Sequence, residues 1–131
     1  MPGGATYLHL RDDYEISSKA GGALQRVILT PREQWNAAMG ATTFLGALHI
    51  GSLDPNCGIA VKVEFSFDGV NWLPGQVIIA EKIAAGYYAG EHTITVEQFP
   101  WRRVVAEIRD TTAAAQVYAV VSAWQYMVFH G

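Results

Sequence analysis

Four histidines, one cysteine and one dense acidic run are the places where this chain could hold a metal or carry out catalysis. His9, His49, His92 and His130 are dispersed, and no HxH or HExxH spacing sets two imidazoles on one element as a zinc site needs. Each reads as a histidine on a strand surface. Cys57 sits in "DPNCGIA", a Pro/Asn/Gly turn in which a thiol reads as incidental rather than nucleophilic, and no GxSxG elbow is present. No Gly-Lys-Ser/Thr follows Gly21-Gly22 or the "GATTFLG" run, so neither is a phosphate loop. Asp12, Asp13 and Glu15 could gather around a cation, but they read better as a solvated strand edge that discourages stray pairing. The sequence offers no catalytic set, no metal site and no cofactor motif, and we expect a protein that is not an enzyme.

The stretch "SFDGVNW", Ser66 to Trp72, has the composition of a loop that recognises a sugar or a cation. It is also fully explained as a turn. Asp68-Gly69 between two alternating runs signals a hairpin, because both residues tolerate the positive φ of a tight turn. Ser66 and Asn71 can bond the turn's backbone, while Trp72 can fold over the hairpin and cover its apolar side. The motif SxDGxNW resembles the hairpin of discoidin-type and other galactose-binding-like sandwiches, and it falls one residue short of the Asp-box repeat of sialidases. That resemblance implies a structural hairpin whose ligand sites lie elsewhere. The disulfide-linked ends and N-terminal ligand loops of a discoidin domain are missing from this chain.

The elements that must position these residues are mostly strands. In "IAVKVEFSF" Ile59, Val61, Val63, Phe65 and Phe67 fall on one face and Ala60, Lys62, Glu64 and Ser66 on the other, the alternation of a half-buried strand. "TYLHLRDDYEI" (Leu8, Leu10, Tyr14 and Ile16), "QRVILT", "FLGALHI", "QVII", "HTITVEQF", "RRVVAEIRD" and "QVYAVVSAWQYMVF" read similarly. Short strands separated by Gly, Pro, Asn and Asp predict an all-β, antiparallel β-sandwich, jelly-roll-like, of about eight strands. One stretch departs from this: "TPREQWNAAMG" offers Thr30 as N-cap, Pro31 at the first helical position, Glu33 for a capping box and Gly40 as a stop, which predicts one short helix or helical turn. No internal repeat or linker interrupts the chain, and residues 1–131 are read as a single domain.

At 131 residues such a domain buries roughly two-thirds of the unfolded chain's surface. Half of the residues are hydrophobic and 16% are charged, against the ~25% charged of an ordinary soluble chain, so some apolar surface is expected to meet another protein. The net charge of -3 and the scatter of the nine basic residues, Arg102-Arg103 apart, leave no stripe for a phosphate backbone, and nucleic acid is not an expected partner. A lone cysteine suits a reducing compartment. "MPGGATYLHLRDDYE" has neither a basic start nor an apolar core, and no segment approaches the ~20 apolar residues of a membrane span. A soluble chain made in the cytoplasm and without a membrane partner is expected.

Two regions offer contact surface. In the last strand Val117, Ala119, Val121 and Ala123 share one face and Tyr118, Val120, Trp124 and Tyr126 the other, so both faces want cover. "IAAGYYAGEH" is read as a loop carrying Tyr87 and Tyr88 as rigid aromatic area. Tyr87, Tyr88, Tyr118, Trp124, Tyr126 and Trp101 are therefore the interface candidates. The ending "RRVVAEIRDTTAAAQVYAVVSAW" on a compact all-β chain resembles small virion proteins of tailed bacteriophages, those that decorate a head or belong to a tail. The resemblance implies a structural role in the virion, synthesis in the host cytoplasm, and copies of itself and other virion proteins as partners. The alternative is a carbohydrate-binding module whose sugar rests on Tyr87, Tyr88 or Trp101, with Glu81, Glu91 and His92 as the polar groups close by in sequence.

Overall fold

Alternation of apolar and polar side chains resolves into eight strands. A computed structural model describes residues 5–32, 41–93 and 99–129, and its strands are β1 (Ala5–Ser17), β2 (Gln25–Ile28), β3 (Ala41–Leu53), β4 (Cys57–Ser66), β5 (Gln76–Lys82), β6 (Gly86–Thr93), β7 (Trp101–Asp110) and β8 (Tyr118–Phe129). They form two four-stranded antiparallel sheets, ordered β1-β8-β3-β6 and β2-β7-β4-β5. Four pairings, β1 with β8, β2 with β7, β3 with β6 and β4 with β5, are those of one long ribbon doubled back at the β4–β5 turn. Winding that ribbon brings β8 beside β3 and β7 beside β4. The product is the jelly roll that the strand spacing predicts.

The core lies between the sheets. Ile59, Val61, Val63 and Phe65 of β4 join Val104, Ala106 and Ile108 of β7 in one buried cluster with Leu48 and Ile50 of β3 and Ala119, Val121 and Ala123 of β8. Phe67 is a correction: β4 ends at Ser66, the turn takes over from the ladder, and Phe67 is 64% exposed with its ring on Phe99, 4.7 Å between centroids. The alternation stops meaning "inward" where the strand pairing stops. Arg102 and Arg103, adjacent in sequence, take opposite faces because both lie within the paired part of β7, where successive side chains alternate. Arg102 points inward, fully buried, and its Nε donates to Met127 Sδ at 3.3 Å. Arg103 points outward to Glu64.

The helix read over "TPREQWNAAMG" falls largely on residues 33–40, outside the described residues. Thr30, its proposed cap, is buried, and its Oγ1 accepts the Val104 N–H at 2.8 Å. Among the described residues a 3-10 turn is found at Ala20–Gly22, ahead of β2.

The segment "IAAGYYAGEH" is not a loop. It supplies β6, paired with β3 from Gly86 opposite Ile50 to Thr93 opposite Thr43; of the strand read over "HTITVEQF", residues 94–98 lie outside the described residues. Glycine and alanine disguise β6, since both are poor strand formers, yet here they have a packing purpose. A Cβ on Gly90 would stand 1.9 Å from the backbone oxygen of Ile78, so the second sheet's β5 closes onto β6 through a space that only glycine leaves open.

Asp12, Asp13 and Glu15 are exposed on β1, an edge strand. The register slips between Arg11 and Tyr14, where Asp13 has φ 45° and its N–H donates to Ser122 Oγ at 3.0 Å. A bulged, acidic edge resists pairing with another chain.

Two carboxylates organise the connections at opposite ends. In the β4–β5 turn Asp68 Oδ1 accepts the N–H groups of Val70 and Asn71, both at 2.8 Å, and Ser66 Oγ accepts those of Asp68 and Gly69. Gly69 has φ 76°. The Asn71 and Val70 N–H groups, with the Asn71 amide and the Ser66 hydroxyl, hold Asp68 well below the usual carboxylate range. In the β7–β8 connection the Thr112 N–H and hydroxyl, with the Ala115 and Ala114 N–H groups, bring Asp110 down to about 2. Both folded-state values lie below the ~3.9 of an unfolded Asp, so both groups stabilise the fold above that pH and lose the contribution as pH falls toward 2. The melting temperature is expected to stay level from about pH 7 to 5 and to fall between about pH 4 and 2. Asp110→Asn is expected to melt lower at neutral pH and to flatten that acid limb, both readable by circular dichroism.

Candidate functional site

The outer faces of the two sheets are chemically unlike. On β2-β7-β4-β5 the side chains are charged and paired: Glu64 takes both Arg26 and Arg103, Lys62 meets Glu107 at 2.9 Å, and Arg109 meets Glu81 at 2.7 Å. Trp72 lies there beneath the Arg103 guanidinium, 4.0 Å from its ring centroid. Hence it does not fold over the hairpin as the sequence suggests. Trp101 does that instead: a Cβ on Gly69 would come within 2.9 Å of the Trp101 ring.

The outer face of β1-β8-β3-β6 is aromatic and small-chained. Register sets its side chains in rows across the strands. One row runs His9, Trp124, Ala47, Ala89, the next Tyr126, Leu45, Glu91, and the one on the other side Ser122, His49, Tyr87. The two alanines of the middle row leave space that larger neighbours enclose, which is a groove of about 500 Å³. Leu45, Ala47 and Ala89 floor it, Tyr87, Trp124 and Tyr126 wall it, and Glu91 closes one end. That volume is within the ~300–1,000 Å³ of small-molecule sites. Trp124 is held from behind by the His9 ring, stacked at 5.5 Å and 12°, and faces Tyr87 at 5.9 Å and 46°. Tyr87 is 65% exposed.

Three of the six candidate residues, Tyr87, Trp124 and Tyr126, thus converge. The other three do not. Tyr88 alternates with Tyr87 along β6 and turns inward against the core, its hydroxyl donating to the Ala84 carbonyl at 2.8 Å. Trp101 covers the β4–β5 turn. Tyr118 is on the same face of β8 as Trp124, but it is eight residues from Tyr126, or about 26 Å at the ~3.3 Å rise of a strand, and there its N–H donates to Asp54 Oδ2. Of the polar groups near Tyr87 in sequence, Glu91 belongs to the groove and Glu81 to the ion pair with Arg109. The alanine floor is what sequence reasoning missed. Its only sequence signal is the alternation of Leu45, Ala47 and His49 along "FLGALHI", which does not say which strand lies alongside.

Cys57 is buried at the start of β4, and burial first, then Asp54, Asp110 and Glu81, pushes its thiol up to about 11. It stays protonated at neutral pH and is a poor nucleophile. Among the described residues no group of three or more His, Cys, Asp or Glu is placed to hold a metal ion.

No family model matches the chain, and no curated protein matches it in sequence. Solved structures do match in shape. The VP2 protein of infectious bursal disease virus, in a mutant form from derived T=1 particles, superposes with a TM-score of 0.73 at 11% identity, over 98% of this chain and 32% of that one. The chain shares its fold with about a third of that viral VP2 protein. The VP2 subviral particle of the same virus gives 0.70 at 12% identity, over 98% and 33%. This chain therefore spans about a third of the length of those VP2 chains. The CBM22-1 xylan-binding domain of Xyn10C from Paenibacillus barcinonensis gives 0.46 at 11% identity, over 98% and 83%.

Proposed function

We propose that the protein is a non-enzymatic structural component of a virus particle, a head-decorating or tail-associated protein of a tailed bacteriophage, with copies of itself and other virion proteins as partners. The jelly roll shared with VP2 and the phage-like ending support this reading. The observation that carries it is a cluster of large apolar side chains in water: Phe67, Val70 and Leu73 in the β4–β5 turn and Val77 on β5 are all exposed, Val70 to 76%. Four such residues within eleven positions of one hairpin are exposed apolar area of the kind that meets another protein surface.

The chain is expected to sediment as an oligomer or to bind purified phage heads or tails. Val70→Asp with Val77→Asp should fold, because both side chains are exposed, and should lose that association by on the order of 2 kcal/mol or more. A strict monomer at high concentration that ignores phage particles would overturn the reading. A second reading, carbohydrate binding, is favoured by one observation: the aromatic groove, which lies on the other sheet from Val77.

A further inference from the structure

From the lining of that groove we infer that it binds an uncharged pyranose sugar, resting on Tyr87 and Trp124 with its hydroxyls on Glu91; this rests on the sugar-binding reading and specifies its ligand. The rings fit one side of the ligand. A pyranose has a face of C–H groups that packs on an aromatic face, and the groove offers two such rings 5.9 Å apart above a floor of two alanines. Trp124 is pre-set by the stacked His9 ring, so little side-chain freedom is lost on binding. Charge fits the other side. Among the described residues that line the groove Glu91 alone is charged, so its carboxylate accepts hydrogen bonds from hydroxyls and repels sialate, uronate or phosphate.

The footprint argues against a second protein as the occupant. From β8 to β6 the groove spans two strand spacings, about 10 Å, and from Tyr87 to Glu91 four residues, about 13 Å. A stable protein interface covers about 800 Å² on each partner. An area of that footprint suits a short oligosaccharide.

The test is calorimetric titration of the full chain with cellotetraose, xylotetraose, mannotetraose and maltotetraose, with sialyllactose as the anionic probe. At least one neutral tetraose is expected to bind and sialyllactose to fail. Tyr87→Ala should weaken binding on the order of tenfold, Glu91→Gln should weaken it severalfold, and Tyr118→Ala, on the same sheet face but outside the groove, should bind as the parent does. Tyr87 and Glu91 are exposed, so both variants should fold. The inference fails if no neutral tetraose binds, if sialyllactose binds in their place, or if Tyr87→Ala and Glu91→Gln bind normally. It also fails if Tyr87→Ala abolishes self-association, which would make the groove a protein interface. Val70→Asp with Val77→Asp leaves the groove intact, so loss of assembly in that variant and loss of sugar binding in the others are separate results.

Discussion

Val121→Asp is expected to leave the chain unfolded at neutral pH. Val121 has no exposed surface and lies on the inner face of β8, the strand that pairs with both β1 and β3. The substitution forfeits the burial of a valine, about 1.5–3 kcal/mol, and places a carboxyl group among apolar side chains. Keeping that group protonated at neutral pH costs about 4 kcal/mol for a pKa held three units above its ordinary value, and the neutral acid still lacks partners. The sum, about 6–7 kcal/mol before the unpartnered acid group is counted, reaches the stability of a domain in the lower part of the ~5–15 kcal/mol range. Val121→Thr keeps the shape and adds one hydroxyl, which should cost only about 1–3 kcal/mol and leave the fold intact. Circular dichroism distinguishes the two. A folded Val121→Asp chain would mean that the inner and outer faces of β8 have been assigned the wrong way round.

Gly90→Ala is expected to destabilise the protein by about 3 kcal/mol or more, although alanine is ordinarily the mildest replacement. The new Cβ would stand 1.9 Å from the Ile78 carbonyl oxygen, a backbone atom that no rotamer change can move. Gly46, directly opposite Gly90 on β3, provides the control. A Cβ there meets Ile78 Cγ2 at 3.1 Å, a side-chain methyl that has to shift by only a few tenths of an ångström, and Gly46→Ala should cost less than about 1.5 kcal/mol. Urea denaturation of the two variants checks the order. If Gly46→Ala proved the costlier, the close approach of β5 to β6 would not be what glycine serves at position 90.

How much was legible depends on whether the information is local. The strand "IAVKVEFSF" could be read to within two residues at its start and one at its end because its alternation reports burial directly, and the error at Phe67 arose where a turn replaced the ladder. The roles of Ser66 and Asn71 were legible because they act within a few residues of one another. Trp72 and Trp101 could not be assigned that way: either could have covered the hairpin, and the choice was made by β7 pairing with β4 so that Trp101 falls opposite Ser66. Tyr87 and Tyr88 were hidden as a pair because a strand of glycine and alanine carries little propensity, and only pairing with β3 separates them into one exposed ring and one partly buried one.

By itself the sequence determined the class of the protein: period-two alternation can bury apolar area only as paired sheets, and the placement of Gly, Pro, Asn and Asp requires those sheets to be antiparallel and many-stranded. The order β1-β8-β3-β6 was decided only in three dimensions, by winding a ribbon so that strands more than sixty residues apart lie side by side. The groove belongs to that second category. Tyr87, Ala47 and Trp124 come from β6, β3 and β8, and no one of those strands has a binding surface of its own. Their side chains meet because cross-strand register aligns them, and register is set by how all the inner faces pack at once rather than by any stretch of sequence read alone.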